Sequence, residues 1–114
     1  MRNLLALLIA LPAAADPAEI VSAQATPGAD GWRFDVTLRH ADTGWDDYAD
    51  GWRVEAEDGT VLATRELLHP HVQEQPFTRS LGGVRIPEGM GAVWIAASTS
   101  RGGWEGGRLE VALP

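Results

Sequence analysis

From Trp32 to Arg39 the chain alternates without a break: Trp32, Phe34, Val36 and Leu38 are apolar, while Arg33, Asp35, Thr37 and Arg39 between them are polar. Successive side chains of a β-strand point to opposite faces, so this period of two puts one face on a core and the other in water. A half-apolar strand needs a second apolar layer to cover it, and the rest of the sequence offers strands for that purpose. Glu19 to Thr26 is a weaker strand that ends in the turn formers Pro27-Gly28-Ala29-Asp30-Gly31. Trp52, Val54 and Ala56 alternate with Arg53, Glu55 and Glu57, and Asp58-Gly59 predicts a two-residue hairpin turn into a partner strand, Thr60 to Leu67. Phe77 to Ile86 is expected to bulge at Gly82-Gly83. Ala92 to Thr99 is apolar on both faces, as a central strand would be, and Gly106 to Leu113 alternates again. Ala41 to Asp50 has no period and reads as a polar loop with room for one helical turn. Seven short strands separated by Gly, Pro and Asp turns, with no helical period after residue 15, predict an all-β antiparallel sandwich, with a small barrel as the alternative.

The first fifteen residues have a different character. Arg2, the apolar run Leu4 to Leu11 and the ending Ala13-Ala14-Ala15 match an export signal with its cleavage site, leaving residues 16–114 as one domain. The apolar run is too short to span a bilayer, and no later segment is continuously apolar, so no membrane span is expected and the mature chain should be periplasmic or secreted, and monomeric. The chain has no cysteine, which excludes disulfides, thiolate metal sites, cysteine nucleophiles and acylation of a cysteine in these residues. Its nine basic residues are all arginines and face sixteen acids, a net charge of −7. That balance argues against nucleic acid as a partner and favours cations, cationic proteins or neutral ligands.

If consecutive strands run antiparallel, the turns at Pro27, Asp58 and Pro87 share one end of the sandwich. The other end then collects the exit of the Trp32–Arg39 strand with His40, the acidic loop, the His69-Pro70-His71 connection and the loop from Ser98 to Glu105. Three imidazoles at one end would suit copper or zinc, with Asp46 or Asp47 completing the ligand set, and Asp42 and Asp50 as further acids of the same loop. Against this, His69 and His71 are two residues apart, which in extended chain points them to opposite faces; the other reading is that the imidazoles bond loop backbone. A calcium loop from Asp46 to Glu57 fails at Tyr48 and Arg53. Ser80, Ser98 and Ser100 lack a nucleophile motif, and Asp46-Asp47 lacks a separated second acid, so no enzyme is expected.

Of the five tryptophans, Trp32 and Trp52 fall on core faces, Trp94 lies opposite Val93 and Ile95, and Trp45 and Trp104 lie in loops. Trp45, Tyr48 and Trp104 could form a contact surface for a partner protein or a carbohydrate, or else fold back as plugs. With Trp52 on the third strand, the whole mature chain resembles immunoglobulin-like and fibronectin type III sandwiches. The stretch His69 to Ser80 also resembles one found in small exported bacterial proteins of unassigned function. These readings predict a small exported binding protein, holding copper or zinc through its histidines or, alternatively, a partner through its tryptophan-bearing loops.

Overall fold

A computed structural model describes residues 16–114; the expected export signal, residues 1–15, lies outside the described residues. Seven strands follow one another: β1 (Glu19–Gly28), β2 (Gly31–Arg39), β3 (Ala49–Glu55), β4 (Val61–Glu66), β5 (Phe77–Val84), β6 (Ala92–Thr99) and β7 (Leu109–Ala112). They form two antiparallel sheets, β1-β2-β5 and β4-β3-β6-β7, and the apolar faces of the two sheets meet in one core. The alternation in β2 does what its period dictates. Phe34, Val36 and Leu38 are buried, Arg33 and Arg39 are exposed, and the inward faces of β3 and β6 answer with Trp52, Val54, Val93 and Ile95.

Three turns differ from the sequence expectation, each for a local reason. The first strand runs on through Pro27, which pairs with Trp32, because β1 is a sheet edge where a missing N–H removes no ladder bond. The turn then shrinks to Ala29-Asp30, and Gly31 (φ +123°) follows where a side-chain carbon would sit 2.8 Å from the Val84 carbonyl oxygen. Between β3 and β4 the loop has three residues, not two. Gly59 N–H donates to Ala56 O and Ala56 N–H to Thr60 O, with Gly59 at positive φ, so the extra residue is absorbed as a register shift after Val54. The loop Thr43 to Tyr48 closes on itself through a Gly44–Asp47 bridge and contains no helical turn. The expected bulge is present: Trp32 and Phe34 of β2 face Val84 and Leu81 of β5, so that Gly82 and Gly83 together stand opposite the single residue Arg33.

At the seam between β4 and β5, Arg65 faces the same side as its cross-strand partner Trp52. Its Nε donates to the Ser80 carbonyl at 3.0 Å and its Nη1 to the Glu66 carbonyl.

Because no disulfide supports this domain, truncating the core should be costly. Phe34→Ala is expected to lose about 3–5 kcal/mol, read from the midpoint of urea unfolding, whereas Arg33→Ala on the opposite face should shift it little.

Candidate functional site

The strand directions bring the ends of β2, β4 and β6 together with the starts of β3, β5 and β7 at one end of the sandwich. All three histidines lie there, as does the acidic loop. What organises this end is Asp42, whose side chain is fully buried. Its Oδ1 accepts the His40 Nδ1–H at 2.7 Å and the Ala49 N–H at 2.9 Å, and its Oδ2 accepts the His71 N–H at 2.8 Å. One carboxylate thereby ties the exit of β2, the entry of β3 and the connection from β4 to β5. Gln75 adds a second tie, accepting the His40 N–H and donating to the His71 carbonyl.

The loop that carries Trp45 is held at both flanks. Thr43 N–H donates to Asp47 O, Asp47 N–H to Gly44 O, and the Tyr48 backbone bonds Ser100 twice, its N–H donating to the side-chain Oγ and its carbonyl accepting the Ser100 N–H. Trp45 projects from this closed turn with 67% of its surface exposed, packed edge-on against Tyr48 at 5.5 Å. From the β4–β5 connection at the same end, Leu68 (71%) and Val72 (55%) are exposed as well. Sequence reading passed over both, although Leu67 points inward and its neighbour must then point out.

The three histidines share this end, but among the described residues their side chains and those of Asp46 and Asp47 do not converge on one point, as the ligands of the expected copper or zinc centre would. His40 is buried with both ring nitrogens engaged, Nδ1 by Asp42 and Nε2 by the Asp16 carbonyl at 3.1 Å. His71 Nε2 accepts from the Arg79 guanidinium at 2.7 Å, a charge that repels a metal cation. His69 is exposed, its Nδ1 3.1 Å from the Pro70 carbonyl, and the Asp46 side chain is exposed and takes no part in this bonding. Among the described residues no three His, Asp or Glu side chains converge as metal ligands. The imidazoles instead bond backbone, carboxylate and guanidinium, the other reading the sequence allowed.

His71 is the titratable group most shaped by its surroundings. Its ring stacks on Phe77 at 4.0 Å and tilts toward His69 at 4.7 Å. Burial pushes its pKa below the ordinary 6.5, and the charges of Arg79 and His69 push the same way, outweighing Glu74 and Asp42. With Nε2 accepting from Arg79, the proton of the neutral ring sits on Nδ1, which is buried without a partner.

Trp104 has a different role from Trp45. The Arg53 guanidinium lies 4.0 Å over its ring, and the indole covers Gly51, where a side-chain carbon would come within 3.6 Å of it. The contact continues along the outer face of the four-stranded sheet. Arg53 and Arg108 both pair with the buried Glu55, at 2.6 and 3.1 Å, and Arg108 lies 5.5 Å over Trp94. Trp104, 38% exposed, thus packs one face of its ring on the sheet through Arg53 and Gly51. At the opposite end of the sandwich, Leu62, Pro87, Met90, Ala92 and Trp94 line an open groove of about 880 Å³, with Glu57 and Asp58 beside them.

No family model and no solved structure matches the chain. A protein named "Putative lipoprotein" from Halomicrobium mukohataei is 44% identical over 78 residues, which cover 68% of this chain and 38% of that protein. The chain therefore spans well under half the length of this relative.

Two outcomes follow from the bonding at this end. Asp42→Ala leaves His40 and two backbone amides without their acceptor and should cost about 3–5 kcal/mol in urea unfolding. Acidification should act through His71. Its folded pKa is lowered, so this contribution to stability is complete above about pH 6.5. It is lost as the pH falls through the folded value, because the unfolded chain takes the proton first. In His71→Gln, melting temperature measured against pH should flatten over that interval.

Proposed function

We propose that the chain is an exported, fibronectin type III-like binding module whose contact surface is the Trp45, Leu68 and Val72 end of the sandwich. The observation that carries this reading is the exposure of these three large apolar side chains on loops whose backbones are bonded down through Asp42, Ser100 and Gln75. Apolar side chains held rigidly in water lose little entropy when a partner covers them, which is the condition for a strong contact. Two of the three are aliphatic and offer no hydrogen bonds to sugar hydroxyls, which favours a protein partner over a carbohydrate. The excess of acids favours a partner face that is neutral or basic.

The composition of residues 1–15 and the name of the similar lipoprotein support export, to the periplasm or the medium. The strand order supports the fibronectin-like form of the sandwich. In constant-type immunoglobulin domains the fourth strand joins the sheet of the first two, whereas here β4 pairs with β3. No catalytic step is assigned: Ser80 bonds Asp35, Ser98 bonds Asp50 and Ser100 accepts from Tyr48, so these hydroxyls are engaged by groups other than imidazoles.

Trp45→Ala should weaken retention of the partner from the exported fraction by about 30-fold or more, the mark of a central contact residue, while leaving the melting temperature nearly unchanged. Trp104→Ala should do the reverse, lowering the melting temperature and sparing retention. Equal retention by Trp45→Ala and the parent chain overturns the assignment of this surface.

A further inference from the structure

The start of the described chain crosses the same end of the sandwich and is fixed there. Ala18 is buried, and Pro17 packs so closely on Gly106 that a side-chain carbon at the glycine would lie 3.1 Å from it. One residue earlier, the Asp16 carbonyl oxygen sits 3.1 Å from His40 Nε2. Asp47 Oδ1 lies 3.6 Å from that same nitrogen, close enough for attraction to a protonated ring but beyond hydrogen-bond reach. This oxygen is buried and has no hydrogen-bond partner, although the Asp47 side chain as a whole is 20% exposed. A carboxylate oxygen withdrawn from water without a donor is a costly arrangement, and one that a cationic donor would relieve.

We propose that Asp47 is the receptor for the α-ammonium group created on Asp16 when the preceding residues are cleaved off. The inference rests on reading residues 1–15 as a removed export signal. Within a residue the amino nitrogen lies about 3 Å from its own carbonyl oxygen. Rotation about the Asp16 Cα–C bond therefore sweeps that nitrogen through the space around the His40 contact without displacing the carbonyl. In the uncleaved chain this nitrogen is a neutral amide with a single N–H. Hydrolysis of the Ala15–Asp16 bond gives the Ala15 carboxylate to the leaving segment and leaves on Asp16 three N–H donors and a positive charge beside the orphaned oxygen. Because the Asp47 backbone closes the turn that bears Trp45, the ion pair adds, in the processed protein alone, a further tie to a contact surface already bonded down through Asp42 and Ser100. Cleavage then stabilises this end of the domain as well as releasing it.

Lysine is absent from the sequence, so a chain beginning at Asp16 has one amine, and its chemistry can be followed directly. Three chains made with defined ends decide the matter: one starting at Asp16, one carrying Gly-Ser before Asp16, and the Asp16 chain with Asp47→Asn. The extended chain should melt about 5 °C below the Asp16 chain, and Asp47→Asn should remove that gap, while Asp46→Asn leaves it in place. Acylation of the α-amine by an N-hydroxysuccinimide ester should be about tenfold slower in the folded Asp16 chain than in urea, as for an amine whose charged form is favoured by one pKa unit. Asp47→Asn should restore the fast rate, a readout that survives any change in its stability. Equal melting of extended and unextended chains, or slow acylation that persists in Asp47→Asn, overturns the pairing. Mass spectrometry of the exported protein tests the cleavage reading separately: a mature start other than Asp16 overturns that reading and, with it, the maturation role of Asp47.

Discussion

A single carboxylate holds one end of this domain together. Asp42 is withdrawn from water and accepts bonds from one imidazole and two backbone amides that come from three separate stretches of chain. A buried charge is tolerated only when its lone pairs are satisfied, and here the donors are structural parts of the loops themselves. The arrangement therefore works as a knot: none of the three segments can move without leaving the charge unpaired. In a domain of about 100 residues without disulfides, such a knot does for loop order what a cross-link would otherwise do.

The outer face of the four-stranded sheet follows a different solution to the same problem. Strands β3 and β6 are interior to their sheet, yet no helix or third layer covers their outer surface among the described residues. Trp104, Arg53, Glu55, Arg108 and Trp94 supply that cover as alternating aromatic and charged groups. Guanidinium groups suit the task because they stack flat on indoles while their edges bond a carboxylate. This explains how Ala96 on the same face is buried although its strand faces no second sheet there.

The strands were legible in the sequence because their signal is periodic and local. Phe34, Val36, Leu38, Trp52 and Val54 could be placed by counting alone, and β6 matches its expected span from Ala92 to Thr99. Strand direction then placed the three histidines at one end. What counting could not supply is which atom of each side chain is already spent. His40 looked like a ligand until its two nitrogens were seen bonded to Asp42 and Asp16, and Asp42 looked like one of four similar acids in a loop. Trp104 likewise depends on Arg53, some fifty residues away in the chain, a pairing that no local pattern encodes. The turn after β3 was missed by one residue because Asp58-Gly59 serves a three-residue loop as readily as a two-residue one.

Arg65 gives the seam between β4 and β5 a further property. A sandwich has open strand edges, and each edge offers unpaired amides and carbonyls to a strand from another molecule. At this seam the Ser80 carbonyl is already occupied by a guanidinium that leans inward from β4. An incoming strand would have to displace that bond and accommodate a desolvated positive charge before gaining any of its own. The side chain that stitches the two sheets together is thus also a barrier to runaway polymerisation, installed at the place where two edges would otherwise invite it.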